Sequence, residues 1–305
     1  MGNAVNWWKQ FAENHENIKH SIAGAGAGIV SSIVTCPLDV VKTRLQNQGK
    51  AEPGSKAMYK GTLGTLSRTW NEEGIRGLYR GLGPTILGYL PTWAIYFTAY
   101  DYFKIRWAHI GENNREWMLH IASAMSAGAI STSLTNPLWV IKTRFMTQSE
   151  LTPYRYNNTL HAFITIAREE GFRGFYKGLG PSLIGVSHVA VQFPLYEKLK
   201  VWLHADTNAP GASTSILVAS SLSKMAASVA TYPHEVIRTR LQNQTRKPYK
   251  YRGICHGLAV IGKEEGFRGF YKGLPTNLMR TVPSSAMTIL TYELLVRKLE
   301  GIKDL

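Results

Sequence analysis

Cysteine is nearly absent. Cys36 and Cys255 are the only two in 305 residues, and neither lies in a CxxC spacing, which excludes a disulfide framework and a thiolate metal or redox motif. Acidic residues are also scarce, with 20 Asp and Glu against 35 Lys and Arg, a formal charge of +15. Charged residues of both signs make up only 18% of a chain that is 44% hydrophobic. Such a chain can offset its ordering entropy, so intrinsic disorder is excluded. A dinucleotide-binding enzyme would want G-x-G-x-x-G after a strand. Gly24-Ala25-Gly26-Ala27-Gly28 has the wrong third spacing and lies in a helical pattern. The first twenty residues hold Glu13, Glu16 and no apolar h-region, and Asn6 breaks the myristoylation pattern, so any address is expected to be internal. The basic balance leaves nucleic acid, an anionic membrane surface or an anionic small molecule as partners.

What is present is one unit written three times. Pro37-Leu38-Asp39-Val40-Val41-Lys42-Thr43-Arg44 returns as Pro137-Leu138-Trp139-Val140-Ile141-Lys142-Thr143-Arg144 and as Pro233-His234-Glu235-Val236-Ile237-Arg238-Thr239-Arg240. The prolines are 100 and 96 residues apart. A second phrase keeps step with the first: Glu73-Gly74 through Tyr79-Arg80-Gly81, Glu170-Gly171 through Tyr176-Lys177-Gly178, and Glu265-Gly266 through Tyr271-Lys272-Gly273. A third phrase closes each unit: Tyr100-Asp101 with Lys104, Tyr196-Glu197 with Lys200, and Tyr292-Glu293. A period near 100 is too long for a solenoid of helix pairs and suits a larger unit repeated around an axis.

Charges avoid six stretches, two per unit. Residues 21–38 and 82–100 carry none, 117–141 and 179–196 hold only His120 and His188, 208–233 is interrupted by Lys224, and 273–292 by Arg280. These segments are long enough to span a membrane. They are rich in Gly, Ala, Ser and Thr rather than Leu, as in helices that pack closely around a polar lumen. Gly24xxxGly28 is one such close-packing spacing, and the mean hydropathy of −0.14 fits helices with one wet face. A soluble helical repeat protein with buried core helices is the alternative; charges that crowd the connections and avoid all six stretches argue against it. Charge-free spans of this length also argue against nucleic-acid binding. The expected fold is therefore an all-α membrane protein of six transmembrane helices in three pseudo-threefold repeats.

The prolines fall late in the odd segments, where each removes a helix hydrogen bond and favours a kink. Three kinked helices could converge and bring Asp39 and Glu235 against Lys42, Lys142 and Arg238 of neighbouring copies. The even segments end in a second set, Asp101, Glu197 and Glu293 with Lys104 and Lys200, beside Tyr100, Tyr196 and Tyr292. Two charge rings at opposite ends of a polar cavity would act as gates, since charges at such depth are costly unless paired.

These three linked phrases resemble the mitochondrial carrier family over about residues 18–300. The resemblance implies repeats at 18–110, 117–204 and 212–300 after a tail at 1–17, with short matrix helices between odd and even spans. It implies transport rather than catalysis, an inner mitochondrial membrane location and a monomer. No cofactor is implied, but cardiolipin is expected as a bound lipid where backbone N–H groups at helix N-termini meet phosphate. Gln46 and Gln242 match the family's bracing glutamine, and Met146 departs from it. Trp139 departs from the acid of the motif, leaving Arg238 without its carboxylate and free to stack on the indole. Val296 stands where Lys104 and Lys200 predict a base, so Glu197 should be unpartnered. Each gate is expected to hold two salt bridges instead of three.

Counting seven residues from Gly81, Gly178 and Gly273 reaches Gly88, Gly185 and Arg280, the family's substrate level. There Gly88 and Gly185 leave room, Val186 adjoins, and Arg280 supplies a permanent cation. Lys224 replaces the glycine of the other copies (Gly28 and Gly128), which suggests phosphate recognition. One turn on, Thr92, Trp93 and Tyr96, then His188 and Gln192, offer stacking and edge recognition for a base. The runs Pro91-Thr92-Trp93-Ala94-Ile95-Tyr96-Phe97 and Thr231-Tyr232-Pro233-His234 resemble the branch of the family that carries NAD+, FAD/folate and pyrimidine nucleotides, most nearly its NAD+ members. A nucleotide substrate is the expectation, with FAD/folate and pyrimidine nucleotides as alternatives to NAD+.

Overall fold

A computed structural model describes residues 2–50, 59–108, 116–149, 156–203, 212–245 and 248–301, and these residues form helices without strands. The junctions between repeats, near 110–117 and 204–212, lie largely outside the described residues. Each repeat is an odd helix, a short connecting helix and an even helix. The first has α1 (Gly2–Asn47), α2 (Gly61–Leu78) and α3 (Leu82–Ala108). The second has α4 (Glu116–Thr147), α5 (Thr159–Glu169), a single turn α6 (Phe172–Phe175), and an even helix broken at Ser187 into α7 (Leu179–Val186) and α8 (His188–Trp202). The third has α9 (Ala212–Asn243), α10 (Ile254–Glu265), a 3₁₀ turn (Phe267–Tyr271) and α11 (Leu274–Gly301).

The odd–even helix pairs close into a ring. α1 packs along α11, α3 along α4, and α7 and α8 along α9, while the three odd helices touch one another. The motif prolines sit inside α1, α4 and α9, and Pro91, Pro194 and Pro283 sit inside α3, α8 and α11. The burial pattern is inverted relative to a water-soluble bundle. Ser31, Ser32, Thr35, Ser123, Ser131, Thr135, Ser223 and Thr281 are buried, whereas Leu87, Leu90, Leu134, Met279 and Leu290 are more than half exposed. Among the described residues, no helix is long and apolar enough to cross a membrane. Buried hydroxyls dilute the apolar character of every long helix, and many of them donate to a carbonyl one turn back, as Thr35 does to Ser31 (2.8 Å) and Thr281 to Asn277 (2.9 Å).

The close approach expected at Gly24xxxGly28 falls elsewhere. Gly24 faces open space, whereas a Cβ at Gly26 would lie 2.7 Å from Leu295 of α11. Register around the ring decides which glycine faces the neighbouring helix, and spacing alone does not carry that register.

Repeats are locked together at the proline end by a clamp found three times. The last arginine of the first phrase reaches the glutamate of the second: Arg44 to Glu73 (2.6 Å), Arg144 to Glu170 and Arg240 to Glu265. A second cation joins each carboxylate, Arg80 to Glu73 (2.6 Å), Lys177 to Glu170 and Lys272 to Glu265 (2.6 Å). Each arginine Nε also donates to a carbonyl of the next odd helix: Arg44 to Met146, Arg144 to Gln242 and Arg240 to Gln46, at 3.0–3.1 Å. Burial opposes ionisation of Glu170, but the hydrogen bonds and charges of Arg144 and Lys177 outweigh it and hold its pKa below the ordinary carboxylate value. Glu265 is lowered the same way: burial is outweighed by Arg240 and Lys272. Both halves of this clamp lay in repeated phrases of the sequence, but nothing in a separation of 25 to 29 residues says that they meet.

Candidate functional site

The odd helices converge at the proline end and close it. Lys42 Nζ lies 2.6 Å from Glu235 Oε2, and Lys142 Nζ lies 4.0 Å from Asp39 Oδ2. These are the two bridges expected from the motif. Gln46 sits beneath the first: its Oε1 accepts from Thr239 (2.9 Å), and its Nε2 donates to Glu235 (3.2 Å) and to Tyr232 (2.9 Å). Gln242 repeats half of this arrangement, its Oε1 accepting from Thr143 at 2.8 Å. Met146 takes the third brace position, where Thr43 Oγ1 points at its sulfur (3.6 Å). The glycine ending each second phrase packs on these side chains from the neighbouring repeat. Gly178 (φ 75°) abuts Gln242 and Gly273 (φ 82°) abuts Gln46, in a backbone conformation that favours glycine.

The stacking expected of Arg238 on Trp139 is not what forms. Lys142 lies over the indole, its Nζ 5.0 Å from the ring centroid. The ring leans toward α3, with Nε1 donating to Thr135 (3.1 Å) and Tyr89 edge-on at 6.2 Å. This lean carries the indole away from Arg238, which makes no ion pair among the described residues.

Above this closed end, Arg280 Nη1 is 3.1 Å from Asp39 Oδ1, and its Nε is buried without a partner among the described residues. Asp39 is thus shared between Lys142 and Arg280. Lys224 lies in the field of Arg280 and Lys42 and makes no ion pair among the described residues. His188 lies near Lys224, His234 and Glu235. Five cations (Lys42, Lys142, Lys224, Arg238, Arg280) and two carboxylates (Asp39, Glu235) thus form one electrostatically linked group at the closed end.

The room expected at the two glycines is partly filled. A Cβ at Gly185 would lie 2.6 Å from His234 Nε2, and one at Gly88 would lie 3.9 Å from the Trp139 ring. Val186 packs against Gly128 of α4. Thr92 Oγ1 donates to Gly88 O (2.6 Å), so its hydroxyl is engaged within α3. Gln192 is half-buried on α8 with no hydrogen bond among the described residues.

An aromatic track climbs α3 at helical spacing from Tyr89 through Trp93 and Tyr96 to Tyr100. Trp93 meets Tyr96 edge-on (5.8 Å), and Tyr96 stacks on Tyr100 (6.2 Å). The Tyr100 hydroxyl is bonded to His120 Nδ1 (2.7 Å). At this opposite end the second charge ring is apart. Asp101, Lys104 and Glu293 are exposed, and Lys200 pairs with Glu197 on its own helix (3.5 Å). Among the described residues, no ion pair joins two even helices there. Tyr196 takes Lys200 over its ring at 6.0 Å, and Tyr292 is half-buried. Glu197, expected to be unpartnered, thus turns to the lysine one turn along.

Closed at one end, parted at the other and repeated three times, this architecture is that of a carrier. The family described as mitochondrial carrier protein matches residues 13–110, 113–207 and 211–303, and the chain belongs to it. The chain is 44% identical to mitochondrial nicotinamide adenine dinucleotide transporter 1 of Saccharomyces cerevisiae, over 93% of this chain and 78% of the relative. It is also 44% identical to the chloroplastic nicotinamide adenine dinucleotide transporter 1 of Arabidopsis thaliana, over 93% of both chains. At 36%, it is similar to the mitochondrial pyrimidine nucleotide transporter RIM2 of S. cerevisiae, over 94% of this chain and 88% of the relative.

Proposed function

We propose that this chain carries NAD+ across the inner mitochondrial membrane by alternating access. The observation that carries the reading is the cation-rich compartment at the foot of the aromatic track. Five cations against two carboxylates suit a diphosphate, and Trp93, Tyr96 and Tyr100 suit planar bases. The two relatives named for nicotinamide adenine dinucleotide support that substrate over a pyrimidine nucleotide.

In this reading the long helices form six membrane spans. α3, at 27 residues, is ~40 Å long and exceeds a ~30 Å hydrocarbon layer. Leucines on the outside and hydroxyls within suit a lipid-facing surface around a wet interior. Cardiolipin phosphate would meet the first-turn amides of α2 and α10, which have no side-chain cap; Asn158 caps α5 at His161. The carrier acts as a monomer through one axial cavity.

Transport then needs no covalent chemistry. Substrate phosphates compete with Asp39 and Glu235 for Arg280 and the gate lysines, and drawing Lys42 and Lys142 from these carboxylates lets the odd helices part as the even helices meet. Substrate can shift that equilibrium only by its differential affinity for the two states. The test is uptake of labelled NAD+ by liposomes containing the purified protein, loaded with ADP, UTP, FAD or nothing. Saturable uptake sustains the reading, and the loading dependence separates exchange from uniport. Absence of NAD+ flux with exchange of another nucleotide would move the substrate to that nucleotide.

A further inference from the structure

The three helix interfaces at the closed end would be equivalent if the repeats were identical, and one of them is short of an acceptor. Between α1 and α9, three side chains form a complete set: Lys42 bridges Glu235 at 2.6 Å, and Gln46 Nε2 donates to the same carboxylate at 3.2 Å. The matching set between α9 and α4 is Arg238, Gln242 and the residue at 139. Arg238 and Gln242 are four residues apart on α9 and so share a face. Gln242 is fully buried and its Oε1 is held by Thr143, yet its Nε2 has no partner among the described residues. A buried amide N–H left without an acceptor is destabilising, because its lost hydration is not replaced. Among the described residues Arg238 makes no ion pair, and Glu235, on its own helix, is engaged by Lys42 and Gln46. Trp139 supplies no acceptor and leans toward Tyr89 and Thr135.

We propose that Arg238 and Gln242 form an anion subsite at the closed end of the cavity, where one phosphate of the transported nucleotide supplies the acceptor that position 139 does not. The guanidinium neutralises the phosphate and the Gln242 amide donates to it, as Lys42 and Gln46 do for Glu235. The substrate itself thereby completes the third bridge, and a nucleoside without phosphate cannot. This rests on the reading of the chain as a carrier of phosphorylated substrates.

The test uses the purified full-length protein in detergent, with melting temperature followed against inorganic pyrophosphate. Trp139→Asp places a carboxylate in the subsite, Trp139→Phe keeps it vacant, and Arg238→Gln removes the cation. Wild type and Trp139→Phe should be stabilised by pyrophosphate. Trp139→Asp should melt higher without ligand and need at least about tenfold more pyrophosphate for half its effect. Arg238→Gln should lose the response without the ligand-free gain, and it decides the matter if Trp139→Asp does not fold. No response in wild type overturns the subsite, as does an undiminished response in both Trp139→Asp and Arg238→Gln, whatever substrate is carried. Loss of response in the variants, with no NAD+ uptake by wild type in parallel liposomes, sustains the subsite and moves the substrate to another phosphorylated compound.

Discussion

Arg280 Nη1 rests 3.1 Å from Asp39 Oδ1, so the cation at the substrate level is held by the same carboxylate that Lys142 reaches at the gate. On the proposed transport reading, binding and gating would meet at this one side chain. An anion that draws Arg280 away from Asp39 changes the closed end without touching it.

Two substitutions separate these roles. Arg280→Ala removes the substrate's cation and leaves Asp39 to Lys142. Truncating one partner of a buried charge pair costs 2–5 kcal/mol or more, so kcat/KM for NAD+ uptake should fall about 10²-fold or further. Asp39→Asn instead frees Arg280 and weakens a gate bridge, and KM should drop while unidirectional leak rises. Initial-rate uptake in liposomes reads both, and near-normal flux in Arg280→Ala would remove that residue from the site.

The clamp beneath the gate should dominate stability. Glu170 is almost fully buried between Arg144 and Lys177, so Glu170→Gln leaves a buried guanidinium without its counter-charge. A loss of ~3–5 kcal/mol is expected, seen as a lower melting temperature in detergent. Because the folded-state pKa of Glu170 and of Glu265 is depressed, the stabilisation they give is fully present above the unfolded value of about 4.5 and lost as pH falls through the lower folded value. Stability should therefore stay level from neutrality to about pH 5 and fall below it, with a shallower acid limb in Glu170→Gln.

Gly178 should tolerate no side chain. Its φ of 75° is left-handed, and a Cβ would lie 2.7 Å from Gln242 Cγ and 3.1 Å from the Arg238 carbonyl. The conformation alone costs about 1–2 kcal/mol for an L-residue, and the clash adds to it. Gly178→Ala should lower the melting temperature and the flux together, whereas Gly49→Ala, with open space around it, should do neither.

The repeats, the helix pairs and the gate charges were legible because each phrase occurs three times and charge is confined to the connections. Pairing was legible only where the repeats agree. Lys42 with Glu235 and Lys142 with Asp39 follow from the motif. Arg44 with Glu73 does not, since it depends on how α2 folds back beneath α1. Arg280's hold on Asp39 was hidden because it joins a substrate position to a gate position, two sets that the sequence keeps apart. The lean of Trp139, which puts Lys142 rather than Arg238 over its ring, depends on an indole hydrogen bond to Thr135 that no spacing announces. The break at Ser187, which divides the even helix of the second repeat into α7 and α8, lies outside the three repeated phrases and so had no signal in them.

The open end offers the last test. Glu197 is about half exposed and pairs weakly with Lys200 on α8, while the neighbouring even helix α11 presents Val296 where a base would complete a bridge. On the proposed alternating-access reading, closure of this end would form two inter-helix bridges instead of three, which would lower the barrier to reorienting without substrate. Val296→Lys supplies the third. It should slow uptake into empty liposomes several-fold while leaving exchange between NAD+ pools closer to wild type, since bound substrate still drives the transition. A double substitution with Glu197→Gln should restore the original ratio, because the added lysine then has no carboxylate to meet. Equal slowing of both modes by Val296→Lys would show that position 296 acts through packing and not through the charge it meets.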